Sequence, residues 1–273
     1  MRPRLLLLDI DGTLIGRNHT TPSDRVRRAL DAAMAIGVRV ALCTGRPWTS
    51  LLKIAKPLDL AGPHIAFDGA LVMANGEEPI YRMPIASTAA RALVDATRAL
   101  GVTVELYLAD AHYIDQENAE STKHASLINV EPVVESLDAV LARASEGAII
   151  KGQVIGTGES GRERIHRLED LGLPLRFGWA KPPPGFGDVD YVNVTHPRVS
   201  KGAALAELCR ALNVPVAETF AAGDGANDIP LLEAAGYAVA MGNAVESLKS
   251  VADVVAPSVD DDGLAWAIER YVL

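Results

Sequence analysis

Two short acidic segments, far apart in the chain, contain the residues that are best suited to chemistry. One is D-I-D-G-T at residues 9–13 and the other is G-D-G-A-N-D at residues 223–228. Each directly follows an apolar run that predicts a buried strand, at residues 5–8 and 220–222. Ligands of open parallel sheets bind just beyond the carboxyl ends of the strands, so we expect both segments to share one crevice.

Four carboxylates in one crevice would repel one another. At about 5 Å and an effective dielectric constant near 20, each pair costs about 3 kcal/mol, which protonation or a divalent cation must relieve. Ligands that are all oxygen atoms indicate Mg²⁺ and not zinc. A carboxylate that stays free can attack phosphorus to give an aspartyl-phosphate. If Asp9 is that nucleophile, a turn at Gly12 would bring Asp11 to the leaving-group side as general acid.

Two further segments fit a phosphate site. Thr44-Gly45-Arg46 follows the second predicted strand and offers a hydroxyl and a backbone N–H to phosphate oxygens. Taken alone, it would be interpreted as a simple turn before a helix. Lys201 opens a predicted helix, and its ammonium could hold both the nucleophile and the phosphate as a point charge. A lysine considered by itself is more commonly solvated on the surface.

The elements that must position these residues alternate between short apolar runs and amphipathic stretches, which predicts a parallel sheet covered by helices. We expect strands at 38–44, 64–67, 191–195 and 238–241 and helices at 22–36, 47–56, 201–212 and 229–235. Between the N-terminal and C-terminal parts of this pattern, the alternation of strand and helix signals changes. The change starts near Asn75-Gly76, which predicts a hairpin turn. The run Pro182-Pro183-Pro184-Gly185 predicts a stiff connector. The sequence therefore predicts an α/β protein with a Rossmann-like parallel-sheet core domain, residues 1–83 plus 189–273, interrupted by an inserted domain at 84–188.

These motifs resemble those of the haloacid dehalogenase (HAD) superfamily, and within it the Cof-type sugar-phosphate phosphatases. The resemblance rests on the 9–13 segment, Thr44-Gly45-Arg46, Lys201-Gly202 and the 223–228 segment, which occur in that order. The tail A-M-G-N-A at 240–244 and Asp262-Gly263 are also similar to this subgroup. The insertion has the position and size of the α/β cap that determines substrate specificity in the family.

The resemblance implies a role for each matching residue. Asp9 is nucleophile and metal ligand, and Asp11 is the general acid/base and binds the metal through its backbone carbonyl. Asp224 ligates Mg²⁺ and Asp228 supports the metal site. The phosphate-binding set is Gly12, Thr44, Gly45, Lys201 and Asn227, and Arg46 is a candidate substrate-binding residue. Asp11 fits phosphatases and mutases, because cation-pumping ATPases have a non-acidic residue there.

Two positions depart from the subgroup. Asp68-Gly69-Ala70 stands where relatives usually have Asn-Gly-Ala, and residues 193–196 lack the Glu that often precedes the motif lysine. Neither position touches the nucleophile, but both affect the assignment of a substrate.

The composition of the chain limits the classes of partner that we expect. A net charge of −9 argues against a nucleic-acid or anionic-membrane surface, since both require clustered Lys and Arg. The two cysteines, Cys43 and Cys209, are too few for a disulfide framework, which is typical of a reducing compartment. Asp9 and Asp11 interrupt the N-terminal apolar run, so we expect no signal peptide. No later apolar stretch approaches the ~20 residues of a membrane helix, so we expect none. The expected location is cytoplasmic and the expected partner is a small phosphorylated metabolite.

Three alternatives remain at this stage. Residues 156–161 match G-x-G-x-x-G, but Glu159 would place negative charge against a dinucleotide's pyrophosphate, so we favour a glycine-rich turn. A phosphosugar mutase would use the same aspartate, and product analysis separates it from a phosphatase. A receiver-type signalling module also uses a phospho-aspartate, but such modules are compact and have no use for a large insertion.

Overall fold

The computed structural model describes residues 2–16, 19–180 and 187–273. The predicted connector at residues 182–185 lies outside these ranges. The chain divides into two compact units, and each is discontinuous in sequence. The first contains Met1–Arg46, Leu51–Tyr81 and Ser200–Leu273, and the second contains Pro47–Ser50 and Arg82–Val199.

The described strands and helices follow one another along the chain with short 3₁₀ turns between them. The strands are β1 (Leu5–Leu8), β2 (Arg39–Leu42), β3 (His64–Ala66), β4 (Leu71–Met73), β5 (Tyr81–Arg82), β6 (Thr103–Tyr107), β7 (His112–Ile114), β8 (Val133–Val134), β9 (Lys151–Thr157), β10 (Arg176–Ala180), β11 (Val189–Thr195), β12 (Thr219–Gly223), β13 (Tyr237–Ala240) and β14 (Val254–Val255). The helices are α1 (Asp24–Ala35), α2 (Trp48–Ala55), α3 (Ser87–Leu100), α4 (Ala119–Ile128), α5 (Leu137–Arg143), α6 (Gly158–Glu169), α7 (Lys201–Leu212), α8 (Ile229–Ala234), α9 (Glu246–Lys249) and α10 (Gly263–Tyr271).

The first unit is built on the predicted parallel sheet. Its strand order is β14-β13-β12-β1-β2, and every neighbouring pair is parallel. All four leucines of β1 have no exposed surface, and burial of each contributes about 1.5–3 kcal/mol. In this register Leu8 lies opposite Ala222 of β12 and Leu42 of β2, so the carboxyl ends of three adjacent strands lie side by side.

Helices α7 and α8 pack against this sheet. Leu205 and Leu208 of α7 and Leu231 of α8 belong to one buried apolar cluster with Leu7 of β1. Ser200 begins α7 as its N-cap, because its hydroxyl accepts a hydrogen bond from the backbone N–H of Ala203. Lys201 is the first residue of α7, so the cap determines the backbone position from which its side chain extends.

The predicted third strand differs from the expectation in its pairing. β3 lies in a separate three-stranded sheet of order β3-β4-β5 and pairs antiparallel with β4. An isolated parallel bridge from Ile65 to Cys43 connects β3 with the segment that follows β2. The predicted turn at Asn75-Gly76 falls between β4 and β5, which are neighbours in this sheet.

The second unit has its own sheet and its own core. The strand order is β10-β11-β9-β6-β7-β8, and its pairs are antiparallel except β7 with β8. Buried apolar residues from these strands pack with α3, α5 and α6. The expectation that residues 189–199 belong to the core domain is wrong, because β11 pairs with both β9 and β10.

The G-x-G-x-x-G segment has a packing role in this unit. Gly156 lies in β9 and Gly161 lies in the first turns of α6. A Cβ built on Gly156 would lie 3.0 Å from the carbonyl carbon of Gly161, and one on Gly161 would lie 2.8 Å from the carbonyl carbon of Gly156. The two glycines therefore let the helix approach the strand closely, which explains the motif without a nucleotide.

Across the described residues, no helix has both the length and the apolar character needed to cross a membrane.

Candidate active site

Asp9 and Asp224 follow neighbouring strands of the first unit and lie close together. The backbone N–H of Asp9 donates to the carbonyl of Ala222 over 3.0 Å, which continues the pairing of β1 with β12 past the end of β1. With Asp228, the two residues can offer carboxylate oxygens that all lie within 4.8 Å of one another. All three residues are buried, and within the described part of the chain theirs is the single acidic, His or Cys group of this kind.

Lys201 provides the positive charge that faces this group. Its ammonium Nζ lies 2.7 Å from Oδ1 of Asp9 and 2.5 Å from Oδ1 of Asp228. The lysine side chain has no exposed surface. Burial alone would lower the pKa of Lys201, but Asp228 and Asp9 raise it well above its usual value. Lys201 is therefore an ammonium ion that contacts one carboxylate from each acidic segment. The expectation that it also binds phosphate stays a prediction.

Asp228 also supports the loop that carries Asp224. Its Oδ2 accepts hydrogen bonds from the backbone N–H groups of Asp224 and Gly225, at 3.1 and 3.0 Å. With Oδ1 on Lys201, both oxygens of Asp228 have protein partners. This residue therefore shapes the loop in addition to contributing negative charge.

Asp9 lies in an environment that disfavours its negative charge. Burial raises the pKa of Asp9 well above its usual value; Lys201 opposes this shift, and Asp228, Asp224 and Asp11 add to it. Three buried carboxylates face one ammonium, and each pair at about 5 Å repels by about 3 kcal/mol at an effective dielectric constant near 20. A divalent cation would relieve this repulsion and favour the charged form of Asp9. The oxygen-only donor set fits Mg²⁺, which is typically bound by one or two carboxylates, waters and substrate phosphate.

Gly12 allows the first acidic loop to pack directly on the second. Its φ is +87°, and a Cβ at this position would overlap the carboxylate of Asp224. Position 12 therefore needs glycine for its backbone angle and for the space that Asp224 occupies. The expectation that Gly12 binds phosphate stays a prediction.

The Asp11 side chain lies outside the cluster of three buried carboxylates. Its two oxygens accept a bidentate pair of hydrogen bonds from Arg46, with Nε at 2.7 Å and Nη2 at 2.6 Å. The Asp11 side chain is 58% exposed. Burial would lower the pKa of Arg46, whereas the bond to Asp11 raises it. The structure thus gives Arg46, expected as a substrate-binding residue, an intramolecular partner.

The predicted phosphate-binding residues Thr44 and Asn227 also have partners in the first unit. The Thr44 hydroxyl accepts from the backbone N–H of Arg46 at 3.1 Å, which leaves its own proton to be donated. The Asn227 amide donates to Oδ1 of Asp68 at 2.9 Å. Asp68 has a left-handed backbone, with φ of 57°, and its carboxylate lies against Gly45. The departure at position 68 therefore places another acid beside the predicted phosphate site.

Sequence reasoning assigned no role to Asn243, which the structure connects to both acidic loops. Its Nδ2 donates to the carbonyl of Gly12 at 2.8 Å and to Oδ2 of Asp224 at 3.2 Å. The only signal in the sequence was its place in the 240–244 tail, which the resemblance included without a function.

Comparison with known proteins identifies the family. The family model for haloacid dehalogenase-like hydrolases matches residues 6–176 and 180–268. This chain belongs to that family. The match includes all the acidic residues considered above, and it confirms the resemblance inferred from the motifs. It also excludes a receiver-type module.

Individual relatives are similar over nearly their whole length. Phosphatase YwpJ of Bacillus subtilis is 27% identical, with 98% of this chain and 100% of that protein covered. The structure of BT1666, a HAD phosphatase from Bacteroides thetaiotaomicron, is 27% identical with a TM-score of 0.83, covering 100% of this chain and 96% of that one. The structure of the HAD subclass IIB sugar phosphatase BT4131 is 26% identical with a TM-score of 0.80, covering 98% of each chain. This haloacid dehalogenase-like hydrolase is thus a phosphatase with a parallel-sheet core.

Proposed function

We propose that this phosphatase hydrolyses a small phosphate monoester, of the sugar-phosphate class, through a covalent aspartyl-phosphate on Asp9 with Mg²⁺ as cofactor. The observation that supports the proposal is the buried cluster of Asp9, Asp224 and Asp228. Two of its members, Asp9 and Asp228, contact the ammonium of Lys201. The sugar-phosphate class is supported by the likeness to the sugar phosphatase BT4131.

In the first step a carboxylate oxygen of Asp9 attacks phosphorus, and the bond from phosphorus to the leaving oxygen breaks. Asp11, in its carboxylic acid form, gives its proton to that oxygen, which departs as an alcohol. Lys201 holds the attacking carboxylate in place and offers positive charge to the phosphoryl oxygens. The Thr44 hydroxyl, the backbone N–H groups of Gly12 and Gly45 and the Asn227 amide are further donors for those oxygens.

In the second step water attacks phosphorus, Asp11 accepts its proton, and the bond from Asp9 to phosphorus breaks to release inorganic phosphate. Asp9, Asp224 and the backbone carbonyl of Asp11 would hold Mg²⁺, with Asp228 supporting the site. When bound, Mg²⁺ supplies positive charge that offsets the clustered carboxylates and the phosphate. For Asp11 to transfer protons, Arg46 must release at least one of its two hydrogen bonds to that side chain.

The second unit would act as the cap that selects the organic part of the substrate. The support for this role is one face of strand β9, where the polar residues Lys151 and Gln153 are buried. Substitution of Gln153 by leucine should then raise KM for the preferred sugar phosphate and leave kcat on a generic aryl phosphate unchanged. Equal effects on both substrates would contradict the assignment.

The test of the chemistry is Asp9→Asn, which keeps the shape of the side chain and removes the nucleophile. Phosphate release from an aryl phosphate with Mg²⁺ should fall by about 10³-fold or more. A radiolabelled phosphoryl group should be trapped on the wild-type protein after rapid quenching, and not on the variant. Asp95→Asn, a surface change on α3, is the matched control. Wild-type activity of Asp9→Asn would overturn the proposal.

The substrate class needs a separate measurement. Phosphate release should be compared across sugar phosphates and other phosphorylated metabolites, with Mg²⁺ and with EDTA. We expect the highest kcat/KM for a sugar phosphate and loss of activity in EDTA. An isomerised sugar phosphate without release of inorganic phosphate would indicate a mutase instead.

A further inference from the structure

We infer that Asn243 is a positioning residue that fixes the orientation of the Asp224 carboxylate and thereby strengthens cation binding. The inference rests on the proposed function in one respect, because it takes the cluster of Asp9, Asp224 and Asp228 as the cation site. Asn243 follows β13, outside the acidic segments.

The hydrogen bonds of Asn243 determine which way its amide points. Both groups near Nδ2 are acceptors, the carbonyl of Gly12 at 2.8 Å and Oδ2 of Asp224 at 3.2 Å. On the other side, Oδ1 accepts from the backbone N–H of Val259 at 2.8 Å and from the hydroxyl of Ser258 at 3.5 Å. A flipped amide would bring oxygen against two acceptors and nitrogen against a donor, so a single orientation is allowed.

This amide therefore connects three separate segments of the first unit. They are the loop after β1, the loop after β12 and the turn that precedes α10. The same turn contacts the first loop elsewhere, because a Cβ on Gly16 would lie 2.7 Å from Oδ1 of Asp260. The position of Asn243 is thus set by backbone on two sides, although its side chain is among the exposed ones.

Asn243 and Gly12 both restrict the Asp224 carboxylate. Asn243 donates to its Oδ2, and the backbone of Gly12 packs so closely on the same carboxylate that no Cβ would fit. With Oδ2 held in this way, the carboxylate cannot rotate freely, and its Oδ1 is presented in one direction. Partners that orient a metal ligand typically contribute 10–100-fold to metal affinity.

The experiment measures Mg²⁺ binding by titration calorimetry on the full chain without substrate. Asn243→Ala removes the two hydrogen bonds that Nδ2 donates to Gly12 and Asp224. We expect the Kd of this variant for Mg²⁺ to rise about 10–100-fold. At saturating Mg²⁺, kcat on an aryl phosphate should return to within a few-fold of wild type, because only the orientation of the ligand has been lost. Asn243→Leu, which nearly keeps the side-chain volume, should behave in the same way.

The control is Asn213→Ala, the same substitution in the same unit. Asn213 follows α7 as its C-cap, at the opposite end from Lys201, and has a left-handed φ of 52°. Alanine there should therefore lower thermal stability without changing the Kd for Mg²⁺. A merely structural role for Asn243 would give this control pattern.

The outcomes separate the inference from the proposed function. A wild-type Kd for Mg²⁺ in both Asn243 variants would overturn the inference and leave the phosphatase proposal intact. Absence of Mg²⁺ binding by the wild-type chain would overturn the proposed cation site and the inference together. A rise in Kd that is limited to the Asn243 variants is the result that supports the inference.

Discussion

Each unit of the chain contains a buried carboxylate, and the pKa values of these two carboxylates, Glu105 and Asp9, are shifted in opposite directions. Glu105, in the second unit, accepts a hydrogen bond from the Tyr107 hydroxyl at 2.7 Å and lies 2.8 Å from Nδ1 of His124. Burial would raise the pKa of Glu105, but His124 and Tyr107 lower it below its usual value. Asp9, in the first unit, has its pKa raised well above the usual value despite Lys201.

The difference comes from the balance of charge around each acid. Glu105 lies in the middle of β6, and its donors come from β6 itself and from α4. Asp9 lies past the end of β1 and shares one ammonium with Asp228 while Asp224 lies nearby. Burial by itself therefore does not make a cation site. An acid whose buried neighbours are donors is structural, and an acid surrounded by other acids requires a ligand.

The largest change that tests this comparison is Lys201→Met. It removes the ammonium that contacts two of the three buried carboxylates, so activity on an aryl phosphate should fall by about 10²–10³-fold. The free energy of unfolding without Mg²⁺ should fall by about 3–5 kcal/mol, and added Mg²⁺ should restore part of it. Chemical denaturation with and without Mg²⁺ measures this, with the exposed Lys56→Met as control. Unchanged stability in Lys201→Met would show that the acids do not depend on the lysine.

The corresponding change in the second unit is Glu105→Gln. It replaces charge-assisted hydrogen bonds by neutral ones, which should reduce the free energy of unfolding at pH 7 by about 2–3 kcal/mol. Because the pKa of Glu105 is lowered in the folded protein, this difference should be full above about pH 4.5 and shrink as the pH falls through the folded pKa. In contrast to Lys201→Met, the loss should not respond to Mg²⁺. A loss that Mg²⁺ reverses would contradict the comparison.

A buried histidine of the first unit, His64, tests whether the stability of the fold can depend on pH without a cluster of acids. Nδ1 of His64 accepts from the backbone N–H of Leu42 and Nε2 donates to the carbonyl of Leu60, and burial lowers the pKa of His64 to about 4. Between pH 4 and 6.5 the unfolded chain binds the proton and the folded chain does not, so stability rises with pH in this window.

Denaturation at pH 7 and pH 5 should therefore differ by roughly 2 kcal/mol more in wild type than in His64→Gln. The exposed His19→Gln is the matched control and should keep the wild-type pH dependence. If His64→Gln also keeps it, the histidine is not the group that titrates.

The smallest expected effect concerns Asp11, the exposed acid of the first unit. Arg46→Lys keeps the positive charge but loses the bidentate geometry that holds Asp11. If Arg46 orients the general acid, kcat should fall by about 10-fold, or about 1.4 kcal/mol, with little change in KM. A change in KM alone would instead support the substrate-binding role expected from the sequence. Steady-state kinetics on an aryl phosphate distinguishes the two.

The parallel sheet and the meeting of the two acidic segments could be predicted because they depend on local patterns. Continuous apolar runs such as Leu5–Leu8 mark strands buried on both faces, and adjacent parallel strands end at the same edge. The helix that begins at Lys201 could also be predicted, because its amphipathic pattern is visible in the sequence.

The expected place of β11 in the parallel core sheet is wrong, and the alternation of its residues explains why. Val192 and Val194 alternate with Tyr191, Asn193 and Thr195, which is typical of an antiparallel sheet with one polar face. The contacts of Asp68 and Asn243 could not be predicted, since they depend on backbone angles and on loops that meet only in the folded chain. Phe67 and Asp68 both have positive φ, which their residue types do not indicate.

The contact between Gly12 and Asp224 has a consequence for protein engineering. Any residue larger than glycine at position 12 would need the space of the Asp224 carboxylate, and moving that carboxylate would break its bond to Asn243. Positions 12, 224 and 243 must therefore be randomised together in a library that seeks altered metal preference. Screens that vary one of them at a time would sample only damaged forms of the present site.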